Sequence, residues 1–530
     1  MDDPIFLEKV DSEEQILQKN VLKYMDDKDF TSAFMAAKKI LFVNNESTFG
    51  NYYIALILYE QKKYILALDR LRYLLNGLDA KLTDLGRFLA LQLVSLCYYR
   101  MGEDRKAAQF FLQTSLAATN IIDRARWYSN YLFMSSYFPE ITDQELVRRH
   151  FEYGKIFSTI KTYAHEKRQA EKLRIAYISP DFRNHVVVHF SYQLLARYDR
   201  NRFWVSCYAR GPEDAVTDQL KNLVDDWNDI TNLSDEGAAA LIYEKKIDIL
   251  VDLSGHSANN CLPILALKPA PIQLSGIGYF NTTGLPAVDY FLTDVYCDPQ
   301  GRNDSDFCEK LIRLPHSHFC YTPPDTVALC DRVRKAHKDI IFGSFNNFAK
   351  ITDKMLKIWL KILLQVDNAK LILKSPHFDK KHDQDDIYIR AKKIGYASGQ
   401  LEIRSATVDY LREYNEIDIA LDTYPYPGGG TTCEALYMGV PVITLYGDRH
   451  GSRFGYSILK NLGLEGLATK DFEKYVEIAV QLAKDKELLF ILHENLPKMF
   501  EMSPLMDGEN YTRDVECEYE KIWKTWANKL

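Results

Sequence analysis

The sequence predicts two parallel α/β lobes preceded by an all-α helical repeat domain, and three observations carry that prediction. Residues 1–170 are helical in pattern, poor in glycine and proline, with an aromatic–small pair that recurs. From Lys172 onward, short apolar strands alternate with helical stretches in two separate series. The second series contains LDTYPYPGGGTTCEALYMGV (421–440), in which a strand runs into two prolines, three glycines, two threonines and a new helical pattern. Apolar strands alternating with helices imply parallel sheets. The 530 residues leave room for roughly three domains of ~150 residues each. Their expected extents are 1–170, 171–335 and 336–530.

Composition narrows the function classes. A net charge of −7 argues against nucleic acid as the main partner, because proteins that bind it carry a basic excess. No apolar run reaches the ~18 residues of a membrane span. The acidic start, MDDPIFLEKVDSEEQ, lacks the apolar core of a signal peptide. Nine cysteines show neither a CxxC pair nor metal-like spacing with histidine, and read as free thiols of a reducing cytoplasm.

In the helical part, Phe30 and Ala33 recur 34 residues later as Tyr64 and Ala67, and a weaker third copy places Ala107 40 residues after Ala67. A period near 34 with a small residue three positions after an aromatic is the pattern of tetratricopeptide helix pairs, the small residue admitting close approach. A generic bundle with chance self-similarity is the alternative. Such repeats stack into grooves that take peptides, so a protein partner is expected.

The first lobe is expected to hold strands at 173–179, 203–210, 247–255 and 272–279. The second is expected to hold strands at 339–345, 369–375, 401–405, 417–423 and 440–445, after the Pro- and Cys-containing stretch 315–335. Parallel sheets bind ligands beyond the carboxyl ends of their strands, so the candidates lie in the segments that follow each strand.

Gly428, Gly429 and Gly430 lack the Cβ atoms that would keep a ligand from the backbone. Thr431 and Thr432 suit a helix cap, and the first-turn N–H groups suit phosphate oxygens. Together they suggest a nucleotide or nucleotide-sugar diphosphate site. Glu434 fits either a capping-box role or the hydroxyls of a ribose. Lys350 follows Asn346 and Asn347 directly after a strand, where an ammonium can pair with a diphosphate. Thr352 is placed to cap the next helix, with Asp353 in its first turn.

His185, in the loop after the first strand, suits a general base, a phosphate contact or a helix cap. His189 suits core packing. Gly255 and His256 occupy another strand-end turn, with Asn259 and Asn260 behind them as turn formers or ligand contacts. GIGYFNTTG (276–284) is a further loop of glycines and hydroxyls. Arg449, His450 and Arg453 suit bidentate phosphate binding or a surface loop. No strand ends in a DxD pair, and Asp383 and Asp385 read as a solvated loop. Metal-dependent sugar transfer is therefore disfavoured, and no metal site is expected.

LRIAYISPDFRNH, IDILVDLSGHSANN, KPAPIQLSGIGYFNTTGLPAVDY, FGSFNNFAKIT and TTCEALYMGVPVITL together resemble the O-GlcNAc transferase and SPINDLY family over about residues 172–527, in a family whose catalytic part also follows tetratricopeptide repeats. The resemblance implies a GT-B fold of two Rossmann-like lobes, independent of metal or other cofactor, inverting, and transferring sugar to protein Ser or Thr. It implies that His185 is the active-site histidine, that Lys350 neutralises the donor diphosphate, and that Thr431 and Thr432 bind that diphosphate. Asn347 then replaces a glutamine, Glu434 an aspartate that holds the ribose, and Tyr410 a histidine that stacks on uracil. Gly430 replaces a histidine and Phe280 a proline. The donor implied is UDP-GlcNAc, with GDP-fucose as the SPINDLY-type alternative. Transfer to a small or lipid-linked acceptor, and a non-catalytic adaptor that senses nucleotide sugar, are the rival functions.

Overall fold

The structure is a computed structural model and describes residues 12–167, 171–324, 339–375 and 381–528. The chain divides between Ser135 and Ser136 into two compact units. No helix among the described residues is long and apolar enough to cross a membrane.

The first unit is helical: Ser12–Asp26, Phe30–Val43, Thr48–Glu60, Tyr64–Gly77, Asp84–Arg100, Asp104–Ala117 and Ile121–Ser135, each packed on the next. Asp29, Ser47 and Thr83 each accept an amide hydrogen bond from the first turn of the helix they precede, which satisfies donors the helix leaves orphaned. Phe30 and Tyr64 open the second helix of successive pairs, and Ala33, Ala67 and Ala107 are fully buried. The recurring small residue thus falls on the buried face of the second helix of each pair.

The second unit holds two parallel sheets. The first contains β1 (Leu173–Ser179), β2 (Phe203–Ala209), β3 (Asp226–Asp229), β4 (Ile249–Asp252), β5 (Ile272–Gly276), β6 (Tyr290–Asp294) and β7 (Lys310–Leu314), in the order β3-β2-β1-β4-β5-β6-β7. The second contains β8 (Ile341–Ser344), β9 (Lys370–Lys374), β10 (Leu401–Arg404), β11 (Ile419–Leu421), β12 (Val442–Leu445) and β13 (Ala468–Thr469), in the order β10-β9-β8-β11-β12-β13. This is the GT-B arrangement of two Rossmann-like lobes.

Four strands escaped the sequence reading. β3 (DWND) and β13, two residues long, are sheet edges. There one side needs no neighbour and the apolar signature fades. β6 and β7 sit beyond β5 with no long helical pattern between them. A further correction concerns Asp383 and Asp385, which lie in the helix Lys381–Ile394 and not in a loop.

Helix Asp143–Lys155 falls in the second unit, although the expected helical domain ran to residue 170. Backbone packing explains the difference. A Cβ on Gly154 would lie 2.2 Å from the carbonyl oxygen of Gly284, and one on Gly284, itself at φ +66°, would lie 1.9 Å from that of His150. Helix and loop touch main chain to main chain. The expected boundary at 335 lies outside the described residues. The last helix, Gly508–Ala527, packs on the first lobe, against helix Val186–Ala196 and strands β5 and β7. Tyr519 and Tyr177 join their hydroxyls at 3.2 Å, and the Thr512 hydroxyl donates to the Gln193 carbonyl. The segment 336–530 is thus one lobe plus a strap that returns to the other.

Gly154→Ala is expected to destabilise the protein by about 3 kcal/mol, because backbone and not a flexible side chain must yield. Urea denaturation checks this, with a Gly466→Ala control, where a Cβ would meet nothing within 4 Å.

Candidate active site

Strand β11 delivers Asp422 to a fully buried position at its carboxyl end. One oxygen, Oδ1, accepts the amides of Thr423 (2.8 Å) and Gly428 (2.7 Å), and Oδ2 accepts the Thr444 hydroxyl (2.8 Å). The proline–glycine loop is thereby tied back to its own strand. Helix Gly430–Tyr437 starts from Gly429, which offers no side chain to cap it. The threonines were expected to cap this helix, but they lie within its first turn. The Thr432 hydroxyl donates to the Gly428 carbonyl (3.1 Å) and the Thr431 hydroxyl to Asn346 Oδ1 (3.2 Å). First-turn amides with no side-chain cap form an anion-binding end.

Lys350 reaches this turn from the loop after β8. Its Nζ donates to the Pro427 carbonyl (2.8 Å), touches Asn346 Oδ1 (3.5 Å) and sits 3.9 Å from the centre of the Tyr426 ring. Burial pushes the ammonium down to about 8, against the opposing pull of the Asp422 carboxylate. Asn347 faces its own backbone: Oδ1 accepts the Ala349 amide (3.0 Å) and so shapes the short turn that carries Lys350. Its neighbour Asn346 makes the bridge to Thr431. Thr352 caps helix Asp353–Leu363 as expected, accepting the Met355 amide.

Glu434 is buried one turn into the helix and lies beyond the capping-box position. Tyr410 donates its hydroxyl to Glu434 Oε1 at 2.6 Å, and the Tyr414 hydroxyl lies 3.5 Å from Oε2. Burial pushes the carboxyl up to about 7, and these two phenols pull it the other way.

His185 forms the N-cap of helix Val186–Ala196, with Nδ1 accepting the Val187 amide at 3.4 Å. Its side chain is 35% exposed and stands 3.7 Å from Asp181. Burial lowers the imidazolium, opposed by the Asp181 charge, so the ring is neutral at pH 7. The adjacent Val186 marks the meeting of the lobes, since a Cβ on Gly430 would lie 2.5 Å from its Cγ2. The His185 end of one helix thus faces the glycine end of the other. His189 is spent on the Thr322 carbonyl (2.9 Å).

His256 stands apart from this cluster. It is fully buried, its Nε2 bonds the Thr283 carbonyl (2.8 Å), and its ring meets those of His150, Tyr153 and Tyr279. Ring contacts from Tyr279 to Phe280 and from Phe280 to Tyr426 (4.1 Å) lead from there towards Lys350. Asn259 adopts φ +59° and is a turn former.

His450 and Arg453 are buried and Arg449 is half-buried, and all three anchor segments to one another instead of forming a surface loop. Arg449 donates to the Ser136 carbonyl and faces Asp143. His450 Nδ1 bonds Asp298 Oδ2 at 2.6 Å, and Arg453 donates to the Tyr296 carbonyl at 2.9 Å. Sequence reasoning missed Asp422, Tyr414 and Tyr426. Asp422 was visible as the carboxylate directly after the apolar strand and shortly before the proline–glycine run; the two tyrosines carried no local signal.

Comparison with known proteins identifies the family and the fold. A family model described as glycosyl transferase family 41 matches residues 154–325 and 321–515. The probable UDP-N-acetylglucosamine–peptide N-acetylglucosaminyltransferase SPINDLY of Solanum lycopersicum is 37% identical over 75% of the chain and 44% of its own length. The protein of the same probable activity named SEC in Arabidopsis thaliana is 29% identical over 67% of the chain and 37% of its own. The chain therefore spans less than half the length of these plant relatives. A mutant of Thermobaculum terrenum O-GlcNAc transferase superposes with a TM-score of 0.82 at 27% identity, covering 97% of this chain and 98% of that one.

Gly428 offers a test of the turn. A Cβ there would lie 2.4 Å from Thr431 Oγ1 and 2.7 Å from Thr432 Oγ1. Gly428→Ala is expected to displace both hydroxyls and weaken nucleoside diphosphate binding by about tenfold or more, the loss of one charge-assisted hydrogen bond. The melting temperature should change by only a few degrees, as side chains and not backbone give way. Calorimetry with UDP and GDP beside a thermal melt separates the two effects.

Proposed function

Because the chain belongs to glycosyl transferase family 41, we propose that it is an inverting, metal-independent protein O-glycosyltransferase that moves GlcNAc from UDP-GlcNAc to Ser or Thr hydroxyls of protein substrates. The observation that carries the reading is the convergence of Lys350, Asn346 and Thr431 on an uncapped helix start. That arrangement suits the leaving group of a nucleotide-sugar donor: fixed N–H groups, hydroxyls and one cation where charge develops.

The reaction is a single displacement. The acceptor oxygen attacks the anomeric carbon from one face while the bond to the diphosphate oxygen breaks on the other. Lys350, the threonine hydroxyls and the turn amides take up the charge on the departing diphosphate. The neutral His185 ring accepts the acceptor's proton, directly or through a water. Asn347 and Gly429 shape the cradle, Gly430 admits the Val186 side chain against the turn, and Glu434 with Tyr410 lies where the nucleoside extends. His256 is left out of the donor contacts, its Nε2 being committed to Thr283. The helical repeats bind the protein acceptor. A cytoplasmic setting suits the eight described cysteines, all free thiols.

Lys350→Ala is expected to slow transfer by two or more orders of magnitude, as loss of one such donor costs roughly 3–4 kcal/mol. Label from UDP-GlcNAc should appear on protein in a lysate. Near-normal turnover in the variant, or label only on small molecules or lipid, would sink the assignment. Parallel assays with GDP-fucose decide the donor.

The pH dependence follows from the same residues. Nucleotide binding needs the Lys350 ammonium, lost above about 8, and the Glu434 carboxylate, lost below about 7. The free-enzyme kcat/KM should therefore peak between these values and fall on both sides. A flat profile from about pH 6 to 9 would contradict these assignments.

A further inference from the structure

Glu434 is an unusual carboxylate. It is buried, it lies one turn beyond the anion-binding end of its helix, and no cation among the described residues shifts it. A buried charge without a counter-ion persists only where hydrogen-bond donors replace water. The donors here are two phenols from one short turn, Tyr410–Glu416: Tyr410 on Oε1 at 2.6 Å and Tyr414 near Oε2 at 3.5 Å. Tyr414 shares its single proton with the Thr431 carbonyl at 3.3 Å, so the clamp also senses the threonine turn.

We propose that Tyr410 and Tyr414 are positioning residues that hold the Glu434 carboxylate ready for the vicinal diol of a nucleotide ribose. This rests on the nucleotide-sugar reading above. An ionised carboxylate has about four acceptor positions, two on each oxygen. The phenols take one on each oxygen and leave one on each. Two neighbouring hydroxyls with fixed spacing match that remaining pair, whereas a lone hydroxyl, with its single proton, would use only half of it. Two phenols anchored in one turn also fix the plane of the carboxylate before the diol arrives.

The other titratable groups facing Glu434 are Tyr321, from the segment after β7, and Cys433 on its own helix. Burial first, and then the Glu434 charge, push both up. Both remain neutral near pH 7, so Glu434 is the titrating group of the cluster. Phenol donors favour its ionised form, and removing one should move its titration to higher pH.

The test is calorimetric, on the full chain, with UDP and 2′,3′-dideoxy-UDP and with the corresponding guanine pair, across pH. Tyr410→Phe keeps the ring and removes the donor. It should weaken binding of the ribonucleotide by about tenfold, leave the dideoxy analogue unchanged, and move the acid limb of the pH profile upward. Tyr414→Phe, with the longer contact, should do the same to a smaller extent. Equal losses for both nucleotides would mean a merely structural role and overturn the proposal, as would an unchanged acid limb. If the wild-type protein binds nucleotide but does not distinguish ribose from dideoxyribose, the clamp fails while the nucleotide-sugar reading stands. If it binds neither UDP nor GDP, both fall.

Discussion

The candidate site depends on one buried carboxylate. Asp422 ends β11 and holds the Thr423 and Gly428 amides, the Thr444 hydroxyl and, at 3.4 Å, the amide nitrogen of Asn346. Those bonds set the path of the PYPGGG loop, and the loop in turn presents the Pro427 carbonyl to Lys350 and the ring of Tyr426 beneath it. Burial raises the Asp422 carboxyl, while its bonds and the nearby ammonium lower it. Asp422 and Lys350 thus favour each other's charged form through space without touching, the ammonium bonding the Pro427 carbonyl instead. The lysine's value of about 8 and its place over the Tyr426 ring describe a buried ammonium whose desolvation the Asp422 charge offsets only in part.

A second network holds the lobes at a fixed distance. Asp294 and Asp298 follow one another at the end of β6 and meet partners on both sides of the cleft. Asp294 Oδ2 bonds His318 Nδ1 at 2.5 Å and the Ser457 hydroxyl at 3.0 Å, while Asp298 meets His450 and Thr293. Cys297 lies close enough to Asp294 and His318 to form a metal-like trio. The Asp294 oxygens, however, also accept the amides of Tyr296, Cys297 and His318. Five donors saturate that carboxylate, and its function is structural. Removing one member of such a buried pair would cost about 3–5 kcal/mol by stranding the other. The register between His185 and the glycine turn rests on this network and on the strap helix Gly508–Ala527.

Local chemistry was legible in the sequence; long-range pairing was not. β1 matches its expected span, 173–179, because a strand deep in a parallel sheet is apolar on both faces and stops at a turn. Lys350, Thr431 and Glu434 were legible because each follows a strand end or opens a helix. The function of Tyr410 as a hydrogen-bond donor was hidden, since its partner stands 24 residues away. Arg449, His450 and Arg453 looked like a surface loop for the same reason: the groups that bury them, Ser136, Asp298 and Tyr296, belong to distant segments. Helix Asp143–Lys155 carried a helical pattern and so read as part of the repeats. The glycine contacts, together with the bond between His150 and Tyr279 in the first lobe, reveal where it belongs.

His185 joins these two levels. Side-chain oxygens of Ser, Thr, Asp or Asn are the usual caps, and an imidazole in that position is a poor substitute. The positive end of a helix also disfavours an imidazolium, which acts in the same direction as the burial that lowers it. A ring kept neutral by its helix retains a lone pair, and the nitrogen that caps weakly at 3.4 Å gives up little by taking a proton. Asp181, 3.7 Å away, stabilises the charge that results. An imidazole that caps its helix only weakly keeps a lone pair that the helix does not fully use, which is what separates it from a Ser, Thr, Asp or Asn in the same place.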